Sequence, residues 1–163
     1  MNRWIPVAIL SAVAASGCGS DPGPTRSASS PPAPPPVAAP EPEASRITVQ
    51  HVLIAFKGAH KAPANVTRTR EEAATLTNEI LERVRKGEDI AKLAAEYSTD
   101  PGGGRYTLVN TGVQKEKSTD IFRKDFIRPF TTVAFKLKIG EAGVAEYDPR
   151  TCPYGWHVIK RLE

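Results

Sequence analysis

Along residues 47–56, ITVQHVLIAF, apolar side chains dominate and several are β-branched, which predicts a buried strand with one titratable ring, His51, set in its middle. A polar, basic loop follows. The period then changes to that of a helix: Ala73, Leu76, Ile80 and Val84 recur at helical spacing, Thr69 and Glu72 match a capping box, and Lys86-Gly87 marks the end. Ile90, Leu93, Ala94 and Tyr97 give a second helix one apolar face. Asp100-Pro101-Gly102 breaks it, a short strand restarts over 105–109, and Pro129 suits the first turn of a short helix that closes before a turn at Gly140. Two strands separated by a loop complete the chain, the last carrying His157 within YGWHVIKRL. The order predicts an α+β domain, with helices flanking a small antiparallel sheet of about four strands.

That pattern cannot extend to the first 45 residues. Arg3 precedes an apolar run from Trp4 to Ala15, too short to span a bilayer and followed by small residues ahead of Cys18, which reads as a secretory signal over residues 1–17. Ala15-Ser16-Gly17-Cys18 resembles a bacterial lipobox, with Cys18 as the lipidated residue. Ala15 stands where leucine is usual, which keeps plain secretion open. Residues 19–45 are dominated by proline and alanine and predict an extended spacer, which at about 3.1 Å per residue reaches roughly 80 Å. The layout is therefore a signal (1–17), a lipidated cysteine with a disordered linker (18–45) and a folded domain (46–163).

Charge adds little. The first 45 residues hold two basic and three acidic side chains, which leaves the domain at +5, without the dense basic stripe that nucleic-acid binding needs. Of the two cysteines, Cys18 is taken by the anchor in this reading and Cys152 is a lone thiol, a Cys18–Cys152 disulfide being the competing use.

His51, His157 and Asp100 form the reactive inventory. A lone histidine in an apolar strand is most simply a satisfied core residue, but a second one in a β-prone run invites a pair. Metal ligation by the three lacks any short ligand spacing. Ser98 beside Asp100, or Cys152 near His157, lacks the context of a hydrolytic nucleophile.

Taken together, HVLI in the opening strand, TREEA at a helix start, LAAEYSTD, F…PF…AFKLKIGE and the terminal YGWHVIKR resemble a parvulin-type peptidyl-prolyl isomerase over nearly all of residues 47–163. The resemblance implies catalytic-site positions at His51, His157 and Asp100, and a proline-ring pocket at Phe126, Phe130 and, less closely matched, Tyr106. It implies no cofactor and no metal. The Gly-Gly-Asp-Leu-Gly of the family's loop is replaced by Gly103-Gly104-Arg105-Tyr106-Thr107, which loses an aspartate. Implied partners are proline-containing segments of unfolded or exported proteins, with the membrane reached through the anchor. The implied place is the cell envelope, and Gly19 in place of an aspartate favours the outer membrane. A non-catalytic, chaperone-like module of the same fold and a structural envelope lipoprotein are the alternatives. The resemblance also leads to the expectation that the two histidines are hydrogen-bonded to one another as a buried polar pair.

Overall fold

The computed structural model describes residues 43–102 and 104–163; the signal, Cys18 and the linker before residue 43 lie outside them, as does Gly103. The predicted opening strand is β1, Arg46–Ile54, which is almost wholly buried because it lies at the centre of a five-stranded sheet. The helices are α1, Arg70–Arg85, and α2, Ile90–Tyr97. Next come β2, Arg105–Val109, and β3, Ile121–Phe122. A 3-10 turn, Arg123–Asp125, leads to α3, Arg128–Lys136, and the chain closes with β4, Ala142–Ala145, and β5, Trp156–Arg161.

The sheet order is β3-β2-β1-β5-β4. The four strands β2, β1, β5 and β4 are antiparallel, as expected, whereas the two-residue β3 adds a parallel pairing to β2 that the pattern did not reveal. The loop before β3 is fixed by Asp120, whose carboxylate accepts N–H groups from Glu116 and Lys117 and pairs with Arg46 at the start of β1.

Alternation along β1 sorts the two faces. Val52 and Ile54 pack with Ile80, Val84, Leu93 and Val158 under α1 and α2, while Ile47 and Val49 pack with Leu108, Phe130, Phe135 and Ile159 beside α3. Helix α1 starts as its sequence demands: the Thr69 hydroxyl accepts from Glu72 N at 3.1 Å, and the Glu72 carboxylate accepts from Thr69 N at 2.7 Å. At the C-terminal end of β5 the chain returns to β1, where Leu162 N donates to Thr48 O at 2.7 Å and Thr48 N donates to Glu163 O at 3.2 Å. Glu43 pairs with Arg123 and Ala44 packs against the α3-side core, so the fold already holds the chain just before β1. Among the described residues, no helix is long and apolar enough to cross a membrane.

Candidate active site

Sheet register brings the two histidines together. His51 pairs with Ile159 and Leu53 with His157, so the imidazoles are diagonal neighbours on the α3-side face, 5.2 Å apart between ring centroids and inclined by 50°. They are 2 % and 4 % exposed. The expected hydrogen bond between them is absent. His51 Nδ1 and both nitrogens of His157 are buried without a hydrogen-bond partner among the described residues. His51 Nε2 lies instead 3.2 Å from Asp100 Oδ2. The tilted diagonal packing keeps the rings from meeting nitrogen to nitrogen, and a carboxylate is the stronger acceptor.

Asp100 reaches His51 because the end of α2 is stitched to β1. The Ser98 hydroxyl accepts from Leu53 N at 3.1 Å and Asp100 N at 3.2 Å, and Thr99 donates to Leu53 O through both its N–H, at 2.9 Å, and its hydroxyl, at 3.1 Å. Ser98 is thereby engaged as a structural acceptor. Asp100 Oδ1 accepts from Gly102 N at 2.9 Å, and Oδ2 accepts from the Tyr106 hydroxyl at 2.8 Å as well as from His51. Led by the bond from His51 and opposed by partial burial, these donors hold the Asp100 carboxyl well below the usual carboxylate range. Burial, with Asp100 beside it, pushes the Tyr106 hydroxyl up to about 12. Burial, reinforced by His51, pushes His157 down to about 3, so it is neutral at any physiological pH.

Gly104 sets the approach of β2. Its carbonyl accepts from His51 N at 2.8 Å, its φ is +73°, and a Cβ there would collide with the His51 carbonyl oxygen. The contact requires glycine at this position.

A cavity of about 320 Å³ opens over these groups. His51, His157, Asp100, Tyr106 and Phe126 form part of its wall. Phe130 does not: it is fully buried behind the wall, edge-on to His51 at 5.1 Å, to His157 at 5.4 Å and to Phe126 at 4.8 Å. The expected three-ring pocket is therefore Tyr106 and Phe126 in contact at 5.3 Å, with Phe130 as their support.

Residues the sequence did not single out for the site add to the wall, among them Leu53, Thr99, Ile127 and, at the rim, His60, Lys61 and Tyr154. Leu53 was findable, since it follows His51 by two on a strand. Tyr154 and His60 were not, because they meet only through a loop contact, His60 N donating to Pro153 O, with rings 5.0 Å apart. Cys152 is a free, fully buried thiol outside the wall, its Sγ 3.6 Å from Gly155 O, and burial pushes it up to about 11. Among the described residues, no cluster of histidine, cysteine or carboxylate side chains is arranged to hold a metal.

The chain is similar to known proteins in sequence and in fold. The chain is 36% identical over 86 residues to the foldase protein PrsA of Geobacillus kaustophilus, covering 50% of this chain and 25% of the relative. It is 30% identical over 118 residues to the foldase protein PrsA of Bacillus subtilis, covering 72% and 30%. With the chaperone SurA of Pseudomonas fluorescens it shares 29% over 120 residues, covering 71% and 22%. It thus spans only a quarter or so of the length of these curated relatives. In fold it is similar to the peptidyl-prolyl isomerase ESS1 from Candida albicans, with a TM-score of 0.53 and 24% identity over 73% of this chain and 63% of that one. The family model described as the PPIC-type PPIase domain matches residues 38–163, from the last prolines before the fold to the end of β5 and beyond, and the chain belongs to that family.

Proposed function

We propose that this chain is a peptidyl-prolyl cis-trans isomerase acting on extended, proline-containing segments of unfolded exported proteins. The observation that carries the reading is the cavity itself: an apolar slot walled by Phe126 and the Tyr106 ring, ending on an ionised, three-donor carboxylate at Asp100. An Xaa-Pro bond rotates over a barrier of about 18–20 kcal/mol because amide resonance must be broken. A dry slot disfavours the charge-separated planar amide, and the fixed Asp100 anion beside the substrate carbonyl disfavours it further by repelling charge on that oxygen. Both effects fall away as the bond twists, so the barrier drops; removing about 5 kcal/mol accelerates rotation a few thousandfold. His51 holds Asp100, and neutral His157 keeps the floor of the slot uncharged.

The same proposal places the domain in the cell envelope. Cys18 carries the anchor, the spacer runs from residue 19 to the point where the fold takes hold of the chain at Glu43, and the outer membrane is the favoured site. Replacing Cys18 with serine should move the protein from the membrane fraction to the soluble one. The activity is tested on tetrapeptides with each residue in turn before proline: rates at the uncatalysed value despite peptide binding would favour a holding, chaperone-like module, a reading supported by the likeness to a protein named as a chaperone. Neither binding nor catalysis would leave a structural lipoprotein.

A further inference from the structure

We infer that the Tyr106 hydroxyl is a catalytic hydrogen-bond donor that transfers from Asp100 to the imide nitrogen of the substrate as the Xaa-Pro bond twists. The inference rests on the isomerase reading above and assigns it a donor.

The chemistry fixes what the donor must do. In the planar amide the nitrogen lone pair is delocalised onto oxygen; in the twisted amide it returns to nitrogen, which becomes basic. A hydrogen bond to the carbonyl oxygen therefore stabilises the planar state and slows rotation, whereas one to nitrogen stabilises the twisted state and speeds it. A productive site offers an acceptor-only group to the oxygen and a donor to the nitrogen.

Asp100 is the acceptor-only group. Apart from His60, Lys61 and Tyr154 at the rim, the side-chain donors of the wall are spoken for: the His51 Nε2 proton is directed at Asp100 Oδ2, Thr99 is bonded to Leu53 O, and the nitrogens of His157 are buried. Tyr106 differs. Its ring lies 5.5 Å from His51, nearly parallel at 21°, and 5.3 Å from Phe126, so the hydroxyl is held at the junction of the apolar slot and the carboxylate. The 2.8 Å bond to Asp100 parks its proton there. The absence of a side chain at Gly102 leaves that room: a Cβ would lie 3.2 Å from the Tyr106 hydroxyl and 3.3 Å from Asp100 Oδ1.

The switch leaves no carboxylate oxygen bare. When the hydroxyl turns to the substrate nitrogen, Oδ2 keeps His51 Nε2 and Oδ1 keeps Gly102 N. No covalent bond changes, and the phenol proton stays on oxygen throughout, as the upward displacement of its titration requires.

Tyr106→Phe keeps the ring and removes the donor. In the full chain, with proline tetrapeptides, kcat should fall roughly ten- to a hundredfold while KM and Tm change little. In an Asp100→Ala background the Tyr106→Phe change should still lower kcat, because the donor acts on substrate and not only through the carboxylate. Fluorinated tyrosines at position 106, which are stronger donors, should change kcat in step with hydroxyl acidity. Full activity in Tyr106→Phe, no further loss in the Asp100→Ala background, or a rate indifferent to acidity would each overturn the inference. An inactive parent chain would instead sink the isomerase reading on which it stands.

Discussion

The two faces of β1 solve the problem of burial in opposite ways. Under α1 and α2, Val52 and Ile54 meet Ile80, Val84 and Leu93, an aliphatic cluster held at its edges by caps and salt links. On the other face the same strand presents His51 beside His157, Tyr106, Phe126 and Phe130, with three imidazole nitrogens unpaired among the described residues. The first arrangement maximises apolar contact and satisfied hydrogen bonds. The second tolerates orphaned polar atoms, each of which costs about 1–3 kcal/mol when buried. Both sides carry an apolar core, since Ile47, Val49, Leu108 and Phe135 are buried on the second face as well, but the chemistry is confined to that second face.

That division can be broken most forcefully from the aliphatic side. Leu93→Ala, at 1 % exposure, should lower unfolding free energy by about 2–5 kcal/mol in a denaturant titration while the rate per folded molecule is retained. On the opposite face, Asp100→Ala should lower kcat at least about tenfold, equivalent to about 1.4 kcal/mol in the barrier, and move Tm less than Leu93→Ala does. A larger Tm loss than rate loss would place Asp100 with the scaffold.

Acid offers a finer test. His157 is lowered to about 3 in the fold from an unfolded value of about 6.5, so below pH 6.5 the unfolded chain gains a proton that the native one refuses. Stability should fall from pH 6.5 to about 3 with a slope of up to about 1.4 kcal/mol per pH unit, and His157→Phe should flatten the upper part of that window, above about pH 4. Asp100, also lowered, retains its contribution above the ordinary carboxylate range and loses it only as pH falls below about 4 toward its far lower folded value. At neutral pH the effect of His157→Phe should be the smallest of all, within about 1 kcal/mol, since the relief of two unpaired nitrogens is offset by the strain of fitting a larger ring into a packed face. A cost of several kcal/mol with strong non-additivity against His51→Leu would restore the hydrogen-bonded pair that the geometry does not show.

What the sequence made legible follows the same division. Helix α1 was readable because its cap, period and stop are local: Thr69, Glu72, the Ala73–Val84 stripe and Gly87 act within one segment. Two histidines in β-prone runs suggested a pair, but placing His51 beside His157 took the family resemblance, since antiparallel register joins residues more than a hundred positions apart. β3 was not readable: two residues have no period, and Asp120 fixes them through a distant partner, Arg46. The exchange of a histidine–histidine bond for His51–Asp100, and the retreat of Phe130 behind the wall, depend on ring orientation, which residue type does not specify.

The return of the chain to β1 has a consequence for how such a domain can be used. β1 and β5 are neighbours, and Leu162 and Glu163 bond to Thr48 within a few residues of the point where the chain enters at Ser45. The entering and leaving segments of the folded unit thus emerge side by side. A unit with that geometry can be spliced into a loop of an unrelated host, or strung in tandem, while opening the host by little more than the gap between adjacent strands.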